Sequence, residues 1–308
     1  MENHPYASDI PDPDFPQLMI QLRARLHRYC ARMTGSVLDG EDIVQETLIK
    51  ANESYNALTV QHVEGWLFRI AHNTAMDFLR KRARERDLFD ENHSAGDDAA
   101  GLAMDRTVEL AADPHAHADS RVVAATALRT FMRLAPGQRS AVILTDVLGY
   151  EAEETAQVME STVPAIKAAL HRGRARLREL AAQAEDAMPA PALSQRDQAL
   201  LVAFADRFNN RDWNGLRDLC ADSVRLDLVA RRKAFDMTGG EYFTNYAQKT
   251  EGLRLSLIEV DGRPALWMDT TADEGAVAPG YLVLVEFDDA ARVVAIRDFR
   301  WARYVAET

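Results

Sequence analysis

Residues 138–178, QRSAVILTDVLGYEAEETAQVMESTVPAIKAALHRGRARLR, constrain this chain more than any other stretch. Apolar residues recur at helical spacing in Val142, Ile143, Leu144, Val147 and Leu148, and the run breaks at Gly149-Tyr150. A short helix over about 151–159 follows, carrying Ala152, Ala156 and Val158. Glu160-Ser161 makes a turn, and a second helix begins at Thr162, with Ser161 as its expected N-cap and Pro164 in the first turn, where a missing N–H is tolerated. That helix is expected to bury Val163, Ile166, Ala169 and Leu170 and to expose Lys167, His171, Arg172, Arg174, Arg176 and Arg178. A helix-turn-helix whose second helix has one apolar and one basic face suits the major groove of DNA. The plainer alternative is a solvated basic helix after an ordinary helical hairpin.

A formal net charge of −12 sits badly with a nucleic-acid partner until its distribution is read. Residues 87–119 carry nine acids (Asp87, Asp90, Glu91, Asp97, Asp98, Asp105, Glu109, Asp113, Asp119) against Arg106 alone, so 9 − 1 leaves −8 in one segment. Residues 162–180 carry five bases against Glu179. Local charge governs contact with a polyanion.

No run of about 18 apolar residues is present, which argues against a membrane span. The start, MENHPYASDIPDPDFPQ, has neither the basic opening nor the apolar core of a secretory signal. Cys30 and Cys220 lie far apart and lack Cys-x-x-Cys partners, so neither a zinc site nor a disulfide framework is expected. No metal and no cofactor are read from the sequence, and the expected location is the cytoplasm.

With 308 residues there is room for two or three domains. The expected division is an arm (1–17), a helical module (18–86), an acidic linker (87–119), a second helical module with the helix-turn-helix (120–183), a Pro/Ala-rich linker (184–194) and a C-terminal domain (195–308). In the first module, Leu18, Met19, Leu22, Leu26 and Tyr29 share one helix face, while Arg23, Arg25, Arg28 and Arg32 project elsewhere. A second helix opens at Asp39-Gly40-Glu41-Asp42, where acids complement the helix dipole. It buries Ile43, Val44, Thr47, Leu48 and Ala51 and leaves Asp42, Gln45, Glu46 and Lys50 outside. A third, WLFRIAHNTAMDFLRKRARER, has Trp66, Leu67, Ile70, Ala71, Thr74 and Leu79 as its core face and a basic end.

The order of these parts resembles the extracytoplasmic-function (ECF) group of sigma-70 factors. LDGEDIVQETLIKA resembles the helix that docks on the clamp of core RNA polymerase; WLFRIAHNTAMDFLRKRAR resembles the segment that opens and reads the −10 promoter element. LRTFMRLAPGQRSAVILTDVLGYEAEETAQVMESTVPAIKAALHRGRARLRE resembles region 4, which reads the −35 element. The resemblance implies that Asp42, Gln45 and Glu46 contact polymerase. It implies that Asn73 and Asp77 face −10 bases, that Arg80, Lys81, Arg82 and Arg84 hold phosphates, and that Tyr55 and Asn56 receive a flipped base. In region 4, Ser161, Thr162, Ala165 and Lys167 would approach −35 DNA, with His171, Arg172 and Arg174 toward its backbone. The implied partners are core RNA polymerase and promoter DNA; an anti-sigma protein or a small-molecule ligand is compatible.

The C-terminal domain reads as helices followed by strand-like runs LRLSLIEV, PALWMDTT, YLVLVEF and RVVAIRDFRWARYV, with turns at Asp261-Gly262 and Asp288-Asp289. Helices before a curved antiparallel sheet give an α+β cone. The pattern resembles the SnoaL-like (nuclear-transport-factor-2-like) fold, best in FADRFNNRDWNGLRDLCADSVRLD and DGRPALWM. Asp227, Tyr242, Tyr246 and Trp267 are candidates to line a pocket, and Arg231-Arg232-Lys233 reads as a solvated loop.

The expected protein is thus multidomain: two all-α sigma modules followed by an α+β cone. Its expected role is non-enzymatic, directing polymerase to promoters under the influence of the C-terminal domain. The alternatives are a DNA-binding regulator fused to a small-molecule-binding or isomerase-like domain, and a repressor acting without polymerase.

Overall fold

The computed structural model describes residues 15–55, 62–89, 128–182, 195–230, 239–248, 252–261, 263–271 and 277–307. Most of the N-terminal arm and the acidic linker, all of the second linker, Asn56, Gly262 and Arg231-Arg232-Lys233 lie outside the described residues. The chain divides into two compact units, Met1–Glu185 and Asp186–Thr308.

In the first unit, α1 (Phe15–Thr34) and α2 (Val37–Tyr55) form a hairpin. Gly35 turns the chain at φ +75, a left-handed conformation that glycine adopts without strain. Ser36 caps α2 by accepting from the Asp39 N–H at 2.9 Å. A Cβ on Gly40 would stand 2.6 Å from the Ala31 backbone, so the two helices cross in close contact there. Helix α3 (Val63–Phe89) completes this group through Leu67, Phe68, Ala71 and Ala75, all fully buried against Leu26 and Tyr29.

The α1 arginines do not simply project outward. Arg23 pairs with fully buried Glu41, and Arg25 pairs with Glu64 and stacks near the rings of Phe68 and Tyr150. Arg32 is buried, and only Arg28 is exposed. Burying a charge is tolerated where an opposite charge accompanies it, and for Arg23 and Arg25 that partner sits on a neighbouring helix.

The rest of the unit is helical: α4 (Leu128–Phe131), α5 (Pro136–Val142) continuing as a π-turn over Ile143–Val147, α6 (Ala152–Val158) and α7 (Val163–Ala182). Its apolar residues join those of α1–α3 in one core.

The second unit is α+β. Helices α8 (Gln195–Asn209) and α9 (Trp213–Asp218) precede β1 (Cys220–Leu228), α10 (Gly239–Ala247), β2 (Leu253–Val260), β3 (Arg263–Thr271), β4 (Val277–Phe287), β5 (Val293–Asp298) and a 3-10 turn (Arg303–Glu307). The sheet order is β1-β5-β4-β3-β2. β2 to β5 run as an antiparallel meander, but β1 pairs with β5 in parallel. The sheet is therefore mixed, not wholly antiparallel. A parallel pair needs a long crossover, and residues 229–292 supply it. Side chains alternate across the sheet: Leu255, Leu266, Met268, Tyr281, Val283 and Ile296 meet Phe204, Phe208 and Phe243 of the helices.

Candidate nucleic-acid interface

The helix-turn-helix is built locally. Glu151 and Glu154 make a capping box at the start of α6. Glu160 turns the chain at φ +50, and the Ser161 N–H donates to the Ala156 carbonyl at 2.9 Å. The cap of α7 is Thr162, whose Oγ1 accepts from the Ala165 N–H at 3.4 Å; Ser161 belongs to the turn. Pro164 is the second helical residue and the helix opens regularly, with the Ile166 N–H donating to the Thr162 carbonyl at 3.0 Å. Ile166, Leu170, Gly173, Leu177 and Leu180 are buried at alternating spacings of four and three. A Cβ on Gly173 would stand 2.7 Å from Val142, so glycine lets α7 lie close on α5.

On the outer side, Thr162, Lys167, His171, Arg172 and Arg178 are exposed, and Ser161 and Ala165 are half-buried. Arg174 departs from its expected place toward a DNA backbone. Its Nε and Nη2 donate to Asp146 at 3.0 and 2.6 Å, and the Asp146 side chain is 1% exposed. Arg176 pairs with Glu179 at 2.9 Å.

Helix α3 presents a second stripe. Asn73, Asp77, Arg80 and Arg84 follow one another at four, three and four residues, and all are exposed, as are Lys81 and Arg82. Asp77 accepts from Arg80 at 2.7 Å and Asp39 from Arg82 at 3.0 Å. Tyr55, expected to receive a flipped base, is the last residue of α2, half-buried against Trp66 with ring centroids 6.4 Å apart. On α2, Asp42 and Glu46 are exposed and Gln45 is half-buried. Ile49, one turn on from Gln45 and Glu46 and absent from the sequence reading, is 58% exposed; a large apolar residue outside the buried stripe was its only signal.

Residues 18–85 and 126–177 meet through polar contacts that sequence could not show. The Tyr29 hydroxyl lies 2.9 Å from His72 Nδ1 and 2.8 Å from Ser140 Oγ, which is 3.0 Å from the same Nδ1. Burial holds the His72 imidazole neutral, with its pKa lowered to about 4. Arg139 donates to the carbonyls of Met33, Met132 and Leu134 and is itself buried, which lowers its pKa to about 10. Tyr150 donates to Glu64 at 2.8 Å, and Arg69 pairs with Glu160 at 3.7 Å.

In the second unit the four pocket candidates separate. Tyr242 and Tyr246 donate to Asp298 Oδ2 at 2.9 and 2.6 Å, and the Tyr246 and Tyr281 hydroxyls are 2.9 Å apart. Burial raises the pKa of the Asp298 carboxyl and of all three phenols. Asp227 lies on the other side of the sheet, paired with Arg297 at 3.2 Å. Trp267, one residue out of step with Leu266 and Met268, points to that side too, against Gly280. Asp298 was legible only as an acid in step with Ile296.

Among the described residues no group of His, Cys, Asp and Glu could hold a metal ion, and no helix is long and apolar enough to cross a membrane.

In the first unit these features define two helical modules, the second with a helix-turn-helix. Residues 18–85 match the family model for sigma-70 region 2, and residues 126–177 match that for sigma-70 region 4. ECF RNA polymerase sigma factor SigG of Mycobacterium tuberculosis (strain H37Rv) is 30% identical over 218 residues, covering 67% of this chain and 59% of SigG. ECF RNA polymerase sigma factor SigL of Mycobacterium tuberculosis (strain Erdman) is 32% identical over 132 residues, covering 40% of this chain and 71% of SigL. The chain belongs to the ECF sigma-70 family of RNA polymerase sigma factors. It spans about three fifths of the length of SigG. The crystal structure of Mycobacterium tuberculosis ECF sigma factor SigJ aligns over 92% of this chain and 95% of that one, at 18% identity and a TM-score of 0.34, too low to bear on the fold.

Proposed function

We propose that this chain binds core RNA polymerase and directs it to promoters with −10 and −35 elements, without covalent chemistry of its own. The observation that carries this reading is the pair of exposed polar and basic helix faces, on α3 and on α7, within the two segments that match regions 2 and 4. Asp42, Gln45 and Glu46, with Ile49, form the polymerase-binding face. Asn73 and Asp77 face −10 bases, and Arg80, Lys81, Arg82 and Arg84 hold phosphates. Thr162, Lys167, His171 and Arg172 engage the −35 element. Tyr55 serves the −10 element only if its ring leaves Trp66. Such work places the chain in the cytoplasm.

The proposed division remains an arm, region 2 to residue 86, a linker, region 4 over 120–183, a second linker and a regulatory domain from 195. That last domain is of SnoaL-like type, on the order of its helices and strands. It modulates promoter activity, so deleting 195–308 changes transcript yield. With Asp227 across the sheet from the tyrosines, nothing favours an isomerase-like site built on it.

Two elements about 25 base pairs apart are separated by about 85 Å at 3.4 Å per base pair. A compact unit of this size is about half as wide. Promoter engagement therefore requires the Tyr29–His72–Ser140 and Arg139 contacts to open. The polymerase reading is tested by affinity capture of core enzyme with wild-type chain and with D42R/E46R. Capture by the wild type and loss in the variant support it. Equal capture by both removes the assigned face, and no capture by either removes the function.

A further inference from the structure

Two arginines follow β5, and among the described residues neither guanidinium makes a hydrogen bond or an ion pair within 4.0 Å; the Asp298 carboxyl acts on Arg300 only through space. Arg300 and Arg303 are half-buried. Their guanidinium carbons lie 5.9 Å from the Tyr246 ring centroid and 5.7 Å from that of Tyr281. The Phe299–Ala302 turn, closed by the Ala302 N–H on the Phe299 carbonyl at 2.8 Å, holds them three residues apart. Trp301, between them, is 46% exposed, and its ring centroid is 5.9 Å from the Arg300 guanidinium carbon.

The base under these groups is a hydrogen-bonded cluster. The Tyr246 and Tyr281 hydroxyls bond each other, and Asp298 Oδ2 accepts from Tyr242 and Tyr246. Asp298 Oδ1 accepts from the Arg300 backbone N–H at 2.9 Å. The carboxylate thus offsets part of the local positive charge, while its oxygens are taken up by phenols and backbone. Each guanidinium carries five N–H donors in a planar fork. Stacking on a ring uses the face of that fork and leaves its edges for a planar or tetrahedral oxyanion. Half-buried guanidinium N–H groups that donate to no protein acceptor are left to water or to a ligand.

We infer that Arg300 and Arg303 form a binding site for a small organic anion, its carboxylate or phosphate held by the two guanidiniums and its apolar body laid on Trp301. The inference is independent of the polymerase reading, since binding is measured on the chain alone.

Calorimetric titration of the full chain at low salt with benzoate, phenyl phosphate and the neutral benzyl alcohol tests it. Saturable one-to-one binding is expected for at least one anion and none for the alcohol, and the tighter anion identifies the head group. R300Q/R303Q is expected to weaken binding at least about tenfold, one lost charge-assisted hydrogen bond being worth that much. A parallel readout keeps the test independent of that variant's folding. Ligand should change tryptophan fluorescence in the wild type and not in W301F. No saturable binding of either anion, equal binding of the alcohol, unchanged affinity in a folded R300Q/R303Q chain, or an undiminished signal in W301F would each overturn the inference.

Discussion

Replacing Arg174 by leucine separates a structural arginine from a DNA-contacting one. Arg174 makes two hydrogen bonds to Asp146, with side chains 14% and 1% exposed. Removing the guanidinium leaves a carboxylate buried between the π-turn and α7 without its counter-charge. Breaking a buried pair this way costs about 3–5 kcal/mol, and the partial exposure of Arg174 argues for about 3. For a unit of this size that lowers Tm by roughly 10 °C. Circular dichroism melting of the full chain reads this directly. The double change D146L/R174L should recover most of the loss, because the isolated charge goes with its partner. A phosphate-contacting Arg174 behaves otherwise: R174L would melt within about 0.5 kcal/mol of wild type and flatten the salt dependence of DNA binding by about one unit. That result would refute the inward assignment.

Other substitutions give equally direct outcomes. Lys167→Ala and Arg172→Ala should each weaken binding to −35 duplexes and reduce the salt slope by about one, with Tm unchanged, as read by fluorescence anisotropy across salt concentrations. Gly40→Ala drives a Cβ into the Ala31 backbone 2.6 Å away, so it should destabilise the chain by about 1–3 kcal/mol in urea unfolding; a neutral result would show the α1–α2 crossing to be loose. His72 titrates near its ordinary 6.5 when unfolded and near 4 when folded, so the unfolded chain takes up the extra proton between those values. Stability should fall as pH drops from about 6.5 toward 4, by up to about 3 kcal/mol, and His72→Gln should remove that slope. Arg139→Lys should fail to restore the stability lost in Arg139→Ala, because an ammonium cannot reach the three carbonyls that the guanidinium fork joins.

What the sequence disclosed follows from the range over which each signal acts. The start of the buried stripe of α7, Ile166 and Leu170, was legible because helix periodicity is local, whereas Val163 and Ala169 are only half-buried and the stripe continues through Gly173, Leu177 and Leu180; β2 was legible because its run of apolar and polar residues is bounded by turn residues. The cap slipped by one residue: Ser161 and Thr162 are both capping types, and the choice rests on the left-handed Glu160 before them. The inward turn of Arg23, Arg25 and Arg174 was not legible, because Glu41, Glu64 and Asp146 lie 18, 39 and 28 residues away. The same limit hid the parallel β1–β5 pairing, which depends on how a crossover of more than 60 residues returns. It also separated Asp227 from Tyr242 and Tyr246: once β1 and β5 are registered, Asp227 stands opposite Arg297, and Asp298 takes the inward place.

In vitro transcription with purified core RNA polymerase tests the central claim most directly. The template is the promoter of the chain's own gene, and full-length protein is compared with residues 1–194. The account predicts a discrete promoter-dependent transcript that core enzyme alone does not make, lost with D42R/E46R and altered in yield on truncation. No transcript from either form, with no capture of core polymerase, would contradict it.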